Sequence, residues 1–219
     1  MSNPDYLASG WLTNFVKRQI DALFILESDE RECLDAYVKA AFSTSIECFR
    51  QINSRYFVED GQVLFSPYHS GQYSIFLYFL SHEMSPKNRI LADKVYYLNK
   101  ALNGVDLFHE VRLPDVFFTD HPMGSVIGRG TFGDRFMFSQ NCTVGNNHGQ
   151  YPVIGQNVFM LAGSKIIGGC KIGDNVIFGV NACAIDEIVP ANSLVFGQSP
   201  HLVIKPAKAR HFEGLNFFF

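Results

Sequence analysis

From Ile154 to Ala184 an apolar residue returns at every sixth position: Ile154, Met160, Ile166, Ile172, Phe178 and Ala184. Four places after each of the first five stand Val158, Ser164, Cys170, Val176 and Ala182, all small or branched. An earlier run keeps the same step at Val126, Phe132, Phe138 and Val144, with Gly130, Phe136 and Cys142 as companions. A step of six suits neither an α-helix, which turns about every 3.6 residues, nor a lone strand, which alternates. Three such hexads make one triangular coil whose inward corners stack on the next coil, and the product is a solenoid. The rival, a β-sandwich of short strands, has no reason to sustain apolar residues at that spacing. Gly128, Gly133, Gly145, Gly155, Gly168, Gly173 and Gly179 punctuate the run, and positive backbone angles are expected at these turns.

The two hexad runs are out of phase, and Asn146 to Pro152 lies between them. This predicts a loop extruded from the coil at 146–152, and such loops tend to carry function. Gly128-x-Gly130-x-x-Gly133 spells a dinucleotide fingerprint, but that motif needs a strand before it and a helix after it. Hexad rhythm continues on both sides, so the match is rejected.

Residues 4–104 read differently. Helical segments are expected at 5–26, 29–56 and 72–102, the first with Leu7, Trp11, Phe15, Ile20, Leu23 and Leu26 as its buried stripe. Ser28 and Asp29 open the second. Asp60-Gly61 between Phe57-Val58 and Val63-Leu64-Phe65 predicts a short hairpin near 57–65, and Pro86 starts or interrupts a helix. The expected division is an α-helical assembly domain at 1–104, a solenoid at 105–206 and a tail at 207–219.

Composition excludes several classes. A net charge of -3, with scattered Lys and Arg, offers no field for nucleic acid. The apolar run Ile75 to Leu80 is far short of the roughly 20 residues of a membrane span, and the reading is of a soluble, cytoplasmic chain. Five cysteines without a C-x-x-C pair suggest reduced, packing thiols. The seven histidines lack metal-ligand spacing, so no metal is expected. Asn141-Cys142-Thr143 matches a glycosylation sequon, without a secretory signal to give it meaning.

Asp120-His121 stands at the entry to the repeats. An imidazole beside a carboxylate can take the proton from a hydroxyl as that hydroxyl attacks an acyl group. Asp106, fifteen residues earlier and slightly less than one coil away, is a second carboxylate able to fix the tautomer.

Val105-Asp106, Asp120-His121-x-x-Gly124, Ser139-Gln140-x-x-Thr143-x-Gly145, Tyr151-Pro152-x-Ile154 and Ala162-Gly163-Ser164-Lys165-Ile166 together resemble the serine acetyltransferases, a branch of the hexapeptide-repeat acyltransferases. The resemblance covers 67–200 and is strongest from Val105 onward. It implies an α+β fold: an N-terminal α-helical domain followed by a left-handed parallel β-helix of hexapeptide repeats. It also implies homotrimers, with trimer pairing through the helical domain left open, and an acetyl-CoA groove between subunits. By the same resemblance His121 is the general base and Asp106 its orienter. Gly145, Asn146, Ala162 and Val180 fall along the pantetheine arm, while the charge of Lys205 suits a phosphate.

The departures concern the acceptor. Where the family carries Arg-His before Pro-x-Ile, this chain has Gln150 and Tyr151; Ser66 stands for an acidic residue of the helical domain, and Arg129 for a Glu. A site built on charged hydrogen bonds fails sharply when those partners are missing. Asp120, Gln150, Tyr151 and Ser66 are therefore the expected acceptor contacts, with Tyr68, His69 and Gln72 also suited to a sugar. The expected activity is acetyl-CoA-dependent O-acetylation of a sugar in surface-polysaccharide assembly. A serine O-acetyltransferase of cysteine biosynthesis comes second; its family tail ends in isoleucine, whereas this chain ends in Phe217-Phe218-Phe219. Sugar N-acetylation and a non-catalytic scaffold complete the alternatives.

Overall fold

In the computed structural model, residues 6, 7 and 9–219 are described; Asp5 and Ala8, inside the first predicted helix, lie outside them. Helix α1 (Trp11–Leu23) buries Leu12, Thr13, Val16 and Ile20. The predicted stripe is met in part: Ile20 and Leu26 are buried, whereas Trp11 and Phe15 stack on one another at 4.8 Å and stay partly exposed, and Leu23 is exposed. Helix α2 (Ser28–Arg50) is capped when the Glu30 carboxylate accepts the Glu27 N–H at 2.8 Å. Glu30 is also buried against Lys94 Nζ at 2.6 Å, an ion pair joining α2 to the last helix of the domain.

The predicted helix 72–102 is two helices. Helix α3 (Ser70–Met84) is buried continuously from Gly71 to Ser81, and α4 (Arg89–Asn103) follows, with Asn88 Oδ1 accepting the Leu91 N–H at 3.0 Å. Pro86 falls in the break because its ring cannot give a helical hydrogen bond. Helix α3 is apolar nearly all round, as a central helix must be. The predicted hairpin is the pair Val58–Glu59 and Gln62–Val63. Its flanks are clamped to α3 by Gln72, whose amide donates to the Tyr56 and Leu64 carbonyls at 2.6 and 3.2 Å and accepts the Ser66 N–H at 2.5 Å.

From Asp106 the chain coils as a parallel solenoid of about five turns. One face stacks Phe117–Thr119, Phe136–Phe138, Val158–Met160, Val176–Phe178 and Ser193–Gln198. The second carries Asp106–Leu107, Val126–Ile127, Thr143–Gly145, Lys165–Ile167 and Cys183–Ile185. The third carries Thr131–Phe132, Val153–Ile154, Lys171–Ile172 and Ile188–Val189. Every residue of the sixfold series from Ile154 to Ala184 is buried, and so are all five of its companions. Val158 pairs with Val176, a coil of three hexads, whereas Met137 pairs with Phe159, four residues more. The surplus lies in 146–152, and the Asn147 and Gln150 backbones close that excursion at 3.1 and 2.9 Å.

The corners correct one expectation. Of the seven punctuating glycines only Gly168 has positive φ; Asn141, Asn157, Asn175, Asn181 and Asn192 take the left-handed corners instead. Asparagine tolerates that region and can bond its neighbour, as Asn157 Nδ2 does to Asn175 Oδ1 at 2.8 Å and Asn175 Nδ2 to Asn192 Oδ1 at 3.1 Å. The glycines serve close approach: a Cβ on Gly133 would stand 2.5 Å from the Gly155 carbonyl carbon and the Gln156 nitrogen. Gly133→Ala therefore destabilises the fold by about 1–3 kcal/mol, measured by urea unfolding. A loss under about 0.5 kcal/mol would show that the coils can part at no cost.

An antiparallel hairpin, Ser193–Gln198 with His201–Pro206, ends the coil, and α5 (Ala209–Leu215) follows. The tail then returns to the body: Phe217 lies 5.7 Å from Phe118 and 5.2 Å from Phe159, and Asn53 N–H donates to the Phe217 carbonyl at 2.8 Å. Helical domain and solenoid share one core cluster. Among the described residues no helix is long and apolar enough to cross a membrane. Cys48, Cys142 and Cys170 are buried, and burial pushes the Cys48 thiol up to about 12.

Candidate active site

His121 sits at the first corner of the solenoid, immediately after Phe117–Thr119, with φ of 50°. Its carbonyl accepts the Met123 N–H at 2.8 Å across Pro122, and the side chain is 87 % exposed. A tight turn thus holds the backbone while the imidazole stands free on the surface. Asp120 is its carboxylate neighbour, 3.7 Å from Nε2, too far for a hydrogen bond and near enough for an ionic contact.

Asp106 is occupied elsewhere. Its carboxylate accepts from Tyr96 Oη at 2.8 Å and from Lys100 Nζ at 2.5 Å, both on α4, and among the described residues it makes no hydrogen bond to His121. The expectation that Asp106 orients the imidazole is thus not met in the isolated chain, because α4 reaches that carboxylate first. The Tyr96 hydroxyl is raised by burial and by Asp106 beside it.

The imidazole opens onto a cleft of about 240 Å³ between solenoid and helical domain, with Ser54, Tyr56, His69 and Asp120 on its walls. His69 caps α3: its Nδ1 accepts the Gln72 N–H at 3.2 Å, which assigns the proton of the neutral ring to Nε2. Burial lowers its pKa, its own backbone contact opposes that, and the charge of His121 adds to the lowering. Sequence reading singled out His69 as sugar-suited, but it missed Ser54 and Tyr56. They reach the cleft only because Gln72 ties the hairpin segment down, and nothing local marks them.

One acceptor expectation is corrected. Gln72 is buried with its amide spent on the chain itself, so it is a clamp and not a contact. Ser66 lines the adjoining cavity, about 610 Å³ in volume, where its Oγ accepts the Tyr68 N–H at 3.3 Å, while Ser54 stands at the His121 cleft. Gln150 and Tyr151 are exposed at the second corner of the coil, separated from His121 by a whole face of the solenoid.

The donor expectations also divide between corners. Met123, two residues after His121, heads a column continued by Gln140, Ala162 and Val180, one per coil, because the first-coil corner is two residues longer than those below it. Asn141 N–H bonds the Met123 carbonyl, Gly163 N–H the Gln140 carbonyl, and Asn181 N–H the Ala162 carbonyl at 2.8–3.0 Å. At the spacing of stacked strands Val180 lies roughly 14 Å along this edge from Met123. Phe196 packs over Gly179 at its foot, with Lys205 Nζ 5.9 Å from the ring centroid. Gly145 and Asn146 lie instead on the second corner, with Gln150 and Tyr151. Arg129 bonds Glu110 at 2.8 Å. No cluster of His, Cys, Asp or Glu suited to a metal occurs among the described residues.

The second corner is braced by Asp186, which accepts from Asn147 Nδ2 at 2.6 Å and from Gly169 N–H at 2.7 Å. The backbone bond from Gly169, followed by that from Asn147, holds its carboxyl below the usual range. Asp186→Ala should release the 146–152 loop, seen as faster hydrogen exchange at Gly169 and at the loop amides. Unchanged exchange there would mean the loop is held by its own Asn147–Gln150 closure.

The family model for bacterial transferase hexapeptide (six repeats) matches residues 151–183. A serine acetyltransferase of Staphylococcus epidermidis is 30% identical over 141 residues, covering 62% of this chain and 66% of that protein. Its Staphylococcus aureus counterpart is 29% identical over the same span. The chain thus spans just under two thirds of the curated relatives it matches. Among solved structures, serine acetyltransferase of Neisseria gonorrhoeae superposes with a TM-score of 0.67 at 20% identity, covering 85% of this chain and 75% of that one. The Brucella abortus serine acetyltransferase in complex with coenzyme A gives 0.66 at 20% identity, covering 82% and 74%. These structural likenesses establish the fold, a left-handed β-helix behind a helical domain.

Proposed function

We propose that this chain, which belongs with the serine acetyltransferase-like branch of the hexapeptide-repeat proteins, transfers acetyl from acetyl-CoA to an acceptor hydroxyl, with His121 as general base. The observation that carries the reading is an exposed imidazole in the turn whose Met123 heads the Gln140–Ala162–Val180 edge, opening onto a cleft. The donor lies along that edge with its thioester toward His121 and its phosphates toward Lys205. His121 takes the hydroxyl proton as the oxygen attacks the thioester carbonyl. The C–S bond then breaks, and the CoA sulfur takes the proton back from the imidazolium. Asp120 supports the imidazolium, and Asp106 can join it only by exchanging Lys100 and Tyr96 for the imidazole.

The two corners support a homotrimer. A second copy laid edge to edge brings the Gly145–Asn146 corner, with Gln150 and Tyr151, against the His121 edge and unites the divided residues. For the acceptor, the relatives named above favour free L-serine over the sugar expected from sequence. The cleft itself favours the sugar as a second reading: its walls are hydroxyl, imidazole and aromatic groups, with Asp120 its carboxylate and neither Lys nor Arg among its lining residues.

An acetyl-CoA thiol-release assay with serine, nucleotide sugars and free amino sugars tests this. Release that depends on a hydroxyl acceptor is the expected result. Release with amino sugars alone would shift the reading to N-acetylation, and no release with any acceptor would leave the non-catalytic scaffold.

A further inference from the structure

The His121 cleft does not end at the helical domain. Its walls Tyr56 and His69 also line the 610 Å³ cavity beside it, and Tyr68 of that cavity lines a third, of about 440 Å³. The third is bounded by Ser9, Trp11, Asn14, Phe15, Arg18 and Tyr68. Tyr68 is 75 % exposed and stands edge-on to both Trp11 and Phe15, at 6.3 and 5.8 Å, while those two stack at 14°. Aromatic side chains therefore succeed one another from the imidazole outward: Tyr56 beside His69 at 5.7 Å, then Tyr68, then the Trp11–Phe15 stack.

From this row we infer that the Trp11–Phe15–Tyr68 platform is a carbohydrate subsite, holding one ring of a saccharide whose further units run through the middle cavity toward His121. The inference rests on the acetyltransferase reading with its second acceptor, the sugar, in place of free L-serine, and extends that acceptor to an oligosaccharide or glycoconjugate. A pyranose presents apolar C–H faces and a rim of hydroxyls. The recess answers with the exposed Tyr68 ring, the partly exposed Trp11–Phe15 stack, the Asn14 amide and the Arg18 guanidinium, in a volume of small-molecule size. A free amino acid would leave the two outer cavities unused.

Trp11 is the one tryptophan of the chain, so its emission reports this site directly. Without acetyl-CoA, oligosaccharides of glucose, galactose and N-acetylglucosamine, one to four units long, are titrated against the intact protein. A saturable emission shift is expected, with affinity rising with length. Tyr68→Ala, at an exposed position, should weaken binding about tenfold by removing one aromatic face. Arg18→Ala, a second surface variant, should weaken it less. No shift with any saccharide, or equal affinity in Tyr68→Ala and wild type, overturns the inference. Emission that follows protein concentration instead of sugar also overturns it and marks a contact between copies. Serine-dependent thiol release without sugar binding leaves the enzyme reading standing and the subsite lost. Sugar binding without thiol release to any acceptor does the reverse.

Discussion

Replacing His121 by Asn is expected to lower kcat for acetyl transfer about 10²–10⁴-fold, the range a general base contributes. The amide cannot accept the hydroxyl proton near neutrality, whereas the backbone keeps its conformation, because asparagine accepts positive φ readily and His121 has φ of 50°. The side chain is 87 % exposed, so little packing is lost and the unfolding free energy should stay within about 0.5 kcal/mol. His121→Ala should match it in activity with slightly lower stability. KM for acetyl-CoA should change little, since the donor residues lie further down the edge. A kcat within threefold of wild type in either variant would remove His121 from the chemistry.

Phe178→Ala is expected to cost about 3–5 kcal/mol of stability, read from chemical denaturation. Phe178 is fully buried, with Met160 paired to it on one side and Val195 on the other. Coils fixed by backbone ladders above and below cannot close over the void, so the cavity adds to the lost transfer energy. Ile188→Ala, 72 % exposed on the third face, is the control and should stay within about 0.5 kcal/mol. Equal effects at the two sites would mean that the sixfold series does not define the core.

The sixfold series was readable because its period is local: an inward residue must recur wherever a coil of three hexads stacks on the next. His121 was readable as an imidazole beside a carboxylate, whereas Ala162 and Val180 came from the family resemblance alone. The helices were less legible. Trp11 and Phe15 share the predicted stripe with Ile20, yet they face each other and Tyr68, and only packing of α1 against α2 and α4 selects Leu12, Val16 and Ile20 for burial. Glycine was read correctly as punctuation and wrongly as the source of positive φ, because from sequence a residue without a Cβ fits both a left-handed corner and a close approach.

By itself, then, the sequence determined the repeat, the inward series, the break in phase at 146–152 and the carboxylate–imidazole pair at the entry. Each is a matter of spacing along the chain. Tertiary structure alone decided that α4 takes Asp106 through Tyr96 and Lys100, that Gln72 is a clamp, and that Ser54 and Tyr56 reach the His121 cleft. It also decided that Gln150 and Tyr151 stand a face away from His121. These outcomes depend on which side chain reaches a carboxylate or cleft first once distant segments pack, and no periodicity records that competition.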